Sequence, residues 1–229
     1  VLAASQRVCL LDLDHCKGDV GAFLDLRSGR SVTALLDQLG QADEVLVHGA
    51  VEQHPSGLHV LAQPYDLTEL KDLSSAEVAA LITLLRGLYQ VVLIDVGSRV
   101  DVVSLAAAQV ADKVVLVTTP DVPALRDARR VAGLLHRLEV PVARLALVLN
   151  KLHPRSPVSE AEVRQQFELE LVSVLPRDND ACRKADLRAL LLADVAPRSP
   201  LTHELTALWG HLHGETRQAA NRAWFWGAR

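Results

Sequence analysis

Two stretches of this chain share one design, an unbroken apolar run that ends in acid. Val8 to Leu11 runs into Asp12 and Asp14, and Val91 to Ile94 runs into Asp95. Apolar runs without alternation are how strands covered on both faces of a parallel sheet read, because neither face meets water. Further, mostly apolar stretches predict strands over Leu58 to Ala62, Lys113 to Thr118, Leu145 to Leu149 and Leu171 to Leu175. Between them the apolar positions switch to helical spacing. Val32, Leu35, Leu36 and Leu39 recur before Gly40, and Val78, Leu81, Ile82 and Leu85 follow Ser74-Ser75-Ala76-Glu77, a capping signature. Further helices are predicted over Asp101 to Val110, from Pro123 to Leu138, over Ser159 to Phe167 with Glu162 in a capping-box position, and over Asn179 to Leu191 and Pro200 to Leu212. Val45 to Gly57 reads as mixed structure with a turn at Pro55-Ser56-Gly57, and Val1 to Arg7 as the tail of a helix. Strands alternating with helices predict an α/β fold, a doubly wound and mostly parallel sheet with helices on both faces. We read residues 1–213 as one domain and 214–229 as a tail.

In an open parallel sheet, ligands sit outside the carboxyl ends of the strands. Asp12 and Asp95 therefore become site candidates. The bland alternative is that each carboxylate only caps the turn or helix that follows. Composition narrows the rest. The 229 residues, 49% of them hydrophobic, suffice for a substantial core, and a net charge of -4 gives no global drive toward nucleic acid. Arg126, Arg129, Arg130 and Arg137 crowd one helix and could touch nucleic-acid phosphates, but a solvated helix face is the favoured reading. Cys9, Cys16 and Cys182 form neither a metal spacing nor an even disulfide framework, which points to a reducing, cytoplasmic setting. No apolar run reaches membrane-spanning length, and the first residues lack signal-peptide order. The histidines do not cluster, His211 and His213 being two apart, and no Gly-x-Ser-x-Gly or Cys/His nucleophile pattern occurs. Methionine is absent altogether, from which we expect the chain to be part of a longer reading frame. The tail groups Trp224, Phe225 and Trp226 beside Arg217, Arg222 and Arg229, a composition suited to docking on a partner or a membrane interface, with packing back onto the domain as the alternative.

With Asp12, Asp95, Thr118-Thr119-Pro120, Asn150-Lys151 and Pro176-Arg177-Asp178 aligned as strand ends, the chain resembles the MinD/ParA group of P-loop ATPases from Val1 to about Leu212. Its pilus-assembly branch, the CpaE/TadZ-like proteins, is the nearest in pattern. The resemblance is carried by LLDLD with GDVGAFLDL, SGLHVLAQP, VVLID, ADKVVLVTTPDVPALRDARR and LALVLNK, in that order. It implies ATP and Mg²⁺ as ligands, a face-to-face homodimer, and work for pilus, secretion or division machinery at the inner face of the cell membrane. It implies that Asp12 positions the attacking water and that Asp95 holds magnesium through a water. Asn150 would read the adenine edge, with Lys151, Pro176 and Asp178 around the nucleotide. His153 stands where a guanine reader of the N-K-x-D type needs an acid, which favours adenine; the plain alternative for Asn150 is a loop residue at a strand exit.

One departure is large. The family's phosphates are cradled by a glycine-rich loop ending in Gly-Lys-Thr, and no G-x-x-x-x-G-K-[ST] occurs in these residues. Lys17 to Gly21 imitates part of it, but Ala22 and Phe23 replace the lysine and hydroxyl. We expect the loop to lie upstream, and the chain to be an ATPase only if it does. Two other readings stand beside this one. A catalytically silent scaffold of the same fold fits the missing loop. A receiver-type phosphoacceptor domain has acids, Thr and Lys in the order Asp12, Asp14, Asp95, Thr118, Lys151, but the interval from Asp14 to Asp95 is far too long for short βα steps.

Overall fold

The computed structural model describes residues 6–26 and 30–212, so the predicted tail with Trp224, Phe225 and Trp226, the helix expected over Val1 to Arg7 for the most part, and His213 lie outside the described residues. The chain divides into two compact units, one up to Ala111 and one from Asp112.

The first unit is a sheet of order β2-β3-β1-β4, built from β1 (Val8–Asp12), β2 (Glu52–Gln53), β3 (His59–Leu61) and β4 (Val91–Asp95). β1 lies parallel to both β3 and β4, and only the short β2 runs antiparallel, as the far arm of a hairpin with β3. The apolar run of β1 is buried as its lack of alternation requires, whereas that of β4 is not covered on both faces, Leu93 being exposed. Cys9, Leu11 and Leu61 pack with Val78, Leu81, Ile82 and Leu85 of α4 (Ser75–Leu88) and with Val103, Ala106 and Ala107 of α5 (Val102–Val110) in one core. The capping signature works as written: the Ser74 hydroxyl accepts the Glu77 amide, and the Glu77 carboxylate accepts the Ser74 amide and hydroxyl. Two short helices, α1 (Val20–Phe23) and α2 (Val32–Leu36), precede α3 (Glu44–Ala50). α3 is a regular helix within a stretch whose sequence predicts only mixed structure. Its start is set by Asp43, whose carboxylate accepts the Leu46 amide, and its packing by Val47 and Ala50, which enter the same core.

The second unit has a parallel sheet of order β5-β6-β7, formed by β5 (Val114–Thr118), β6 (Leu145–Leu152) and β7 (Leu171–Pro176). Successive residues of β6 face opposite layers. Leu147 and Leu149 join Leu125 of α6 (Val122–Arg137) and Val163 of α7 (Glu160–Gln166), while Val148 joins Leu201 of α10 (Pro200–Leu212). Helices thus cover both faces, and doubly wound α/β architecture is the observed fold class. Two boundaries differ from expectation. β6 was expected to end at Leu149 but continues to Leu152, because Lys151 takes a left-handed backbone (φ 59) that absorbs a register irregularity before Leu152 pairs with Pro176. The helix expected over Asn179 to Leu191 stops as α8 (Asn179–Arg188), since Ala189 turns left-handed (φ 48), and a separate α9 (Leu192–Val195) follows.

Candidate functional site

β1 and β4 are neighbours with Asp12 directly opposite Asp95 in the register. The two acid-ended runs therefore finish side by side at one carboxyl edge, where ligands of open parallel sheets bind. The Leu13 amide, donating to the Asp95 carbonyl at 2.7 Å, extends the pairing by one residue.

Each carboxylate makes the local bond that the capping alternative requires. Asp12 Oδ1 accepts the Asp14 amide at 3.0 Å, and Asp95 Oδ1 accepts the Gly97 amide at 2.9 Å. For Asp12 that accounts for only one oxygen. Asp12 is fully buried, 0% exposed, and its Oδ2 has no hydrogen-bond partner among the described residues. A buried carboxylate oxygen left so costs about 1–3 kcal/mol, which a purely local cap would not incur. Burial pushes the Asp12 carboxyl up to about 6; the backbone amides of Asp14 and Val20 oppose this, and the charges of Asp95 and Asp14 add to it. Asp95 is exposed beside it.

The loops leaving both strands interlock. Gly97 has φ +65, and a Cβ there would stand 2.5 Å from the Asp14 carboxylate. Only glycine fits both the backbone and the approach. Arg99 donates to the Cys16 sulfur at 3.2 Å, and the Cys16 amide donates to Asp14 Oδ1 at 2.9 Å. Gly18 (φ +59) lies against Gln63, which comes just after β3 and whose amide nitrogen donates to the Asp12 carbonyl at 3.0 Å. Sequence reasoning missed Gln63 and Gly97; the signal for Gln63 was a lone amide directly after an apolar strand.

The other four candidates belong to the second unit. Asn150 and Lys151 lie near the end of the β6 strand, Pro176 ends β7 and Asp178 follows it at the start of α8, with the Arg177 amide donating to the Leu152 carbonyl at 3.0 Å. These four are brought to neighbouring strand ends. The Asn150 Oδ1 accepts the Lys151 amide at 2.8 Å. Asp178 is engaged at both oxygens: Oδ1 accepts the Ala181 amide and caps α8, and Oδ2 accepts the Ser199 hydroxyl at 2.6 Å. Those bonds, the Ser199 hydroxyl first, hold its carboxyl below the usual carboxylate range. The crowded arginines of α6 are partly engaged, Arg126 and Arg130 by Asp127, and Arg129 by Gln166 and the Phe167 ring 5.4 Å below its guanidinium. Among the described residues no group of His, Cys, Asp and Glu has the geometry of a metal site, and no helix is long and apolar enough to cross a membrane.

The fold and the paired acidic strand ends define an α/β scaffold with an acidic carboxyl edge, and comparison with known proteins shows what it is similar to. In sequence the chain is similar to MinD proteins, and in fold to MinD and ParA family ATPases. It is 26% identical over 179 residues to the septum site-determining protein MinD of Synechocystis sp., and the match covers 76% of this chain and 65% of that protein. Identity to MinD of Thermotoga maritima is 24% over 181 residues, 76% of this chain and 66% of that one. The chain thus spans just under two thirds of the length of these relatives. A putative MinD of Guillardia theta is 31% identical over 178 residues, 75% of this chain and 64% of that protein. Among solved structures, a ParA family ATPase from Chlorobium tepidum superposes with TM-score 0.82 at 23% identity, covering 91% of this chain and 87% of that one. MinD from Pyrococcus horikoshii, complexed with Mg-ADP, gives TM-score 0.73 at 19% identity, covering 94% and 86%. No protein-family model matches the chain.

Proposed function

We propose that the intact protein binds MgATP at the carboxyl ends of its strands and hydrolyses it as a homodimer to position or assemble a pilus, secretion or division apparatus at the inner face of the cell membrane. In this reading residues 1–213 act as one ATPase domain and 214–229 as a docking tail. The observation that carries it is Asp12, wholly buried, with one carboxylate oxygen unpartnered, directly opposite Asp95. Bound magnesium would supply positive charge to the phosphates, and the residues fit it: Mg²⁺ accepts few carboxylates and keeps its waters. Asp95, exposed at the strand end, would hold one of those waters. Asp12 would orient the attacking water through its free oxygen, its raised pKa suiting a group that takes a proton. Asn150 would read the adenine edge, with Lys151, Pro176 and Asp178 around it. The Pyrococcus horikoshii relative was solved with Mg-ADP, which supports this ligand pair.

Hydrolysis also needs a phosphate cradle, and the 229 residues hold no G-x-x-x-x-G-K-[ST]. That observation favours a second reading, a catalytically silent scaffold of the same fold. Isothermal titration of the intact protein with MgATP and MgGTP, and steady-state hydrolysis with Asp95→Asn as control, separates the two. Tight MgATP binding, weaker MgGTP binding and magnesium-dependent turnover lost in Asp95→Asn support the ATPase. No heat with either nucleotide leaves the scaffold.

A further inference from the structure

The ladder between β1 and β3 ends at the pair Leu11 and Leu61. One residue further, the Asp12 carbonyl is met by a side chain, the Gln63 amide, whose nitrogen donates to it at 3.0 Å. Gln63 thus continues the ladder by one bond after β3 has turned away. The same side chain supports the far end of the loop that Asp12 begins. A Cβ on Gly18 would stand 2.6 Å from Gln63 Cβ and 3.1 Å from Cγ, so the loop backbone comes down onto the glutamine stem where only glycine allows it. Gln63 is 7% exposed, and its Oε1 has no hydrogen-bond partner among the described residues. Ordering a long side chain and burying an acceptor unpaired both cost free energy, and methionine would fill similar space without the orphan. Packing alone does not account for an amide here.

We propose that Gln63 is a positioning residue for Asp12, fixing the strand end and the return of the 12–18 loop so that the free oxygen of Asp12 is presented to the reacting water. The proposal rests on the function proposed above for Asp12. It acts through the bond to the Asp12 carbonyl and the seat for Gly18, and Gln63 itself touches no ligand in the scheme.

The test uses the intact protein with Gln63→Met, which keeps length and removes the amide, and Gln63→Glu, which keeps shape and sets a carboxylate against the Asp12 carbonyl. Both should bind MgATP within about twofold of the parent while single-turnover hydrolysis falls about tenfold or more, since small misplacement of a reacting group costs rate before affinity. Amide exchange should accelerate about tenfold across residues 12–20 and stay at the parent rate in α4 and β4. Gly18→Ala should reproduce the effect, since its Cβ would stand 2.6 Å from Gln63 Cβ on a left-handed backbone of φ +59. Parent-rate exchange across 12–20 in both Gln63 variants overturns the proposal, as does acceleration spread over the whole unit, the mark of a structural role alone. If the parent itself turns over no ATP, the proposed function fails, and the exchange measurement decides the clamp by itself.

Discussion

Replacing Asp12 by Asn should make the protein more stable at neutral pH. The carboxyl rises from its ordinary 3.8 to about 6, chiefly because the folded chain buries it. A group whose folded pKa lies above its unfolded value binds more protons in the folded state between the two, so stability falls as pH rises through that window. For Asp12 the window runs from about 4 to about 6. The difference corresponds to about 3 kcal/mol if the site were wholly dry. Solvent at the strand ends reduces this to about 1–2 kcal/mol. Asn keeps the shape and an oxygen for the Asp14 amide, and removes the charge. Urea denaturation in metal-free buffer, at pH 4 and pH 7.5, reads the effect directly. Relative to the parent, the variant should gain about 1–2 kcal/mol on going from the lower to the higher pH, because only the parent carries the slope. An Asn variant that shows the parent's slope between those pH values, or that is less stable than the parent at pH 7.5, would refute the idea that burial of this carboxylate is an energetic cost retained for the site. The gain should come with lost hydrolysis, the trade expected where a site stores strain.

Other consequences follow from single contacts. Ser74→Ala removes the capping box of α4 and should cost about 1 kcal/mol in chemical denaturation, with no change in nucleotide binding. Gly97→Ala forces a Cβ to 2.5 Å of the Asp14 carboxylate at φ +65 and should destabilise by about 1–3 kcal/mol; a neutral result would mean the two loops are not held together. Burial, and then the charge of His48, hold the His59 imidazole below its usual pKa, so its contribution is present above about 6.5 and is lost as pH falls toward the folded value. His48→Gln should weaken that acid sensitivity in part, leaving the share due to burial, as read by denaturation midpoints at pH 7.5 and 5.5.

Much of the fold was legible because its signals are local. Ser74 with Glu77, Asp101 ahead of α5, and Pro123 behind Asp121 announce helix starts through bonds made within one turn. The strand runs are equally plain, since they are mostly apolar, even where one face is open, as at Leu93 of β4 and Val117 of β5. Where reading failed, the deciding term was distant or conformational. α3 is seven residues long, too short to show its period, and is held by the burial of Val47 and Ala50 against the rest of the unit. The ends of β6 and α8 depend on left-handed backbone at Lys151 and Ala189, residue types that give no warning of it.

The site divides along the same line. A parallel strand has a direction, so an acid ending an apolar run must emerge at the carboxyl edge, and Asp12 and Asp95 could be placed there from sequence. That they face one another could not, because neighbours in a parallel sheet are joined by crossovers, and β1 meets β4 only after β2, β3 and α4 have intervened. The finer positioning is further hidden. Gln63 acts on a backbone carbonyl, and Gly18 and Gly97 act by lacking a Cβ; none of these has a pairing partner whose chemistry could be matched in a sequence. The acids of such an edge are therefore readable as candidates, while the amide and glycines that aim them become visible only when the strands are set side by side. This is why the experiments that bear most on the proposed function are those on Gln63 and Gly18, where a variant can leave every acid in place and still turn Asp12 from the orientation the proposal requires.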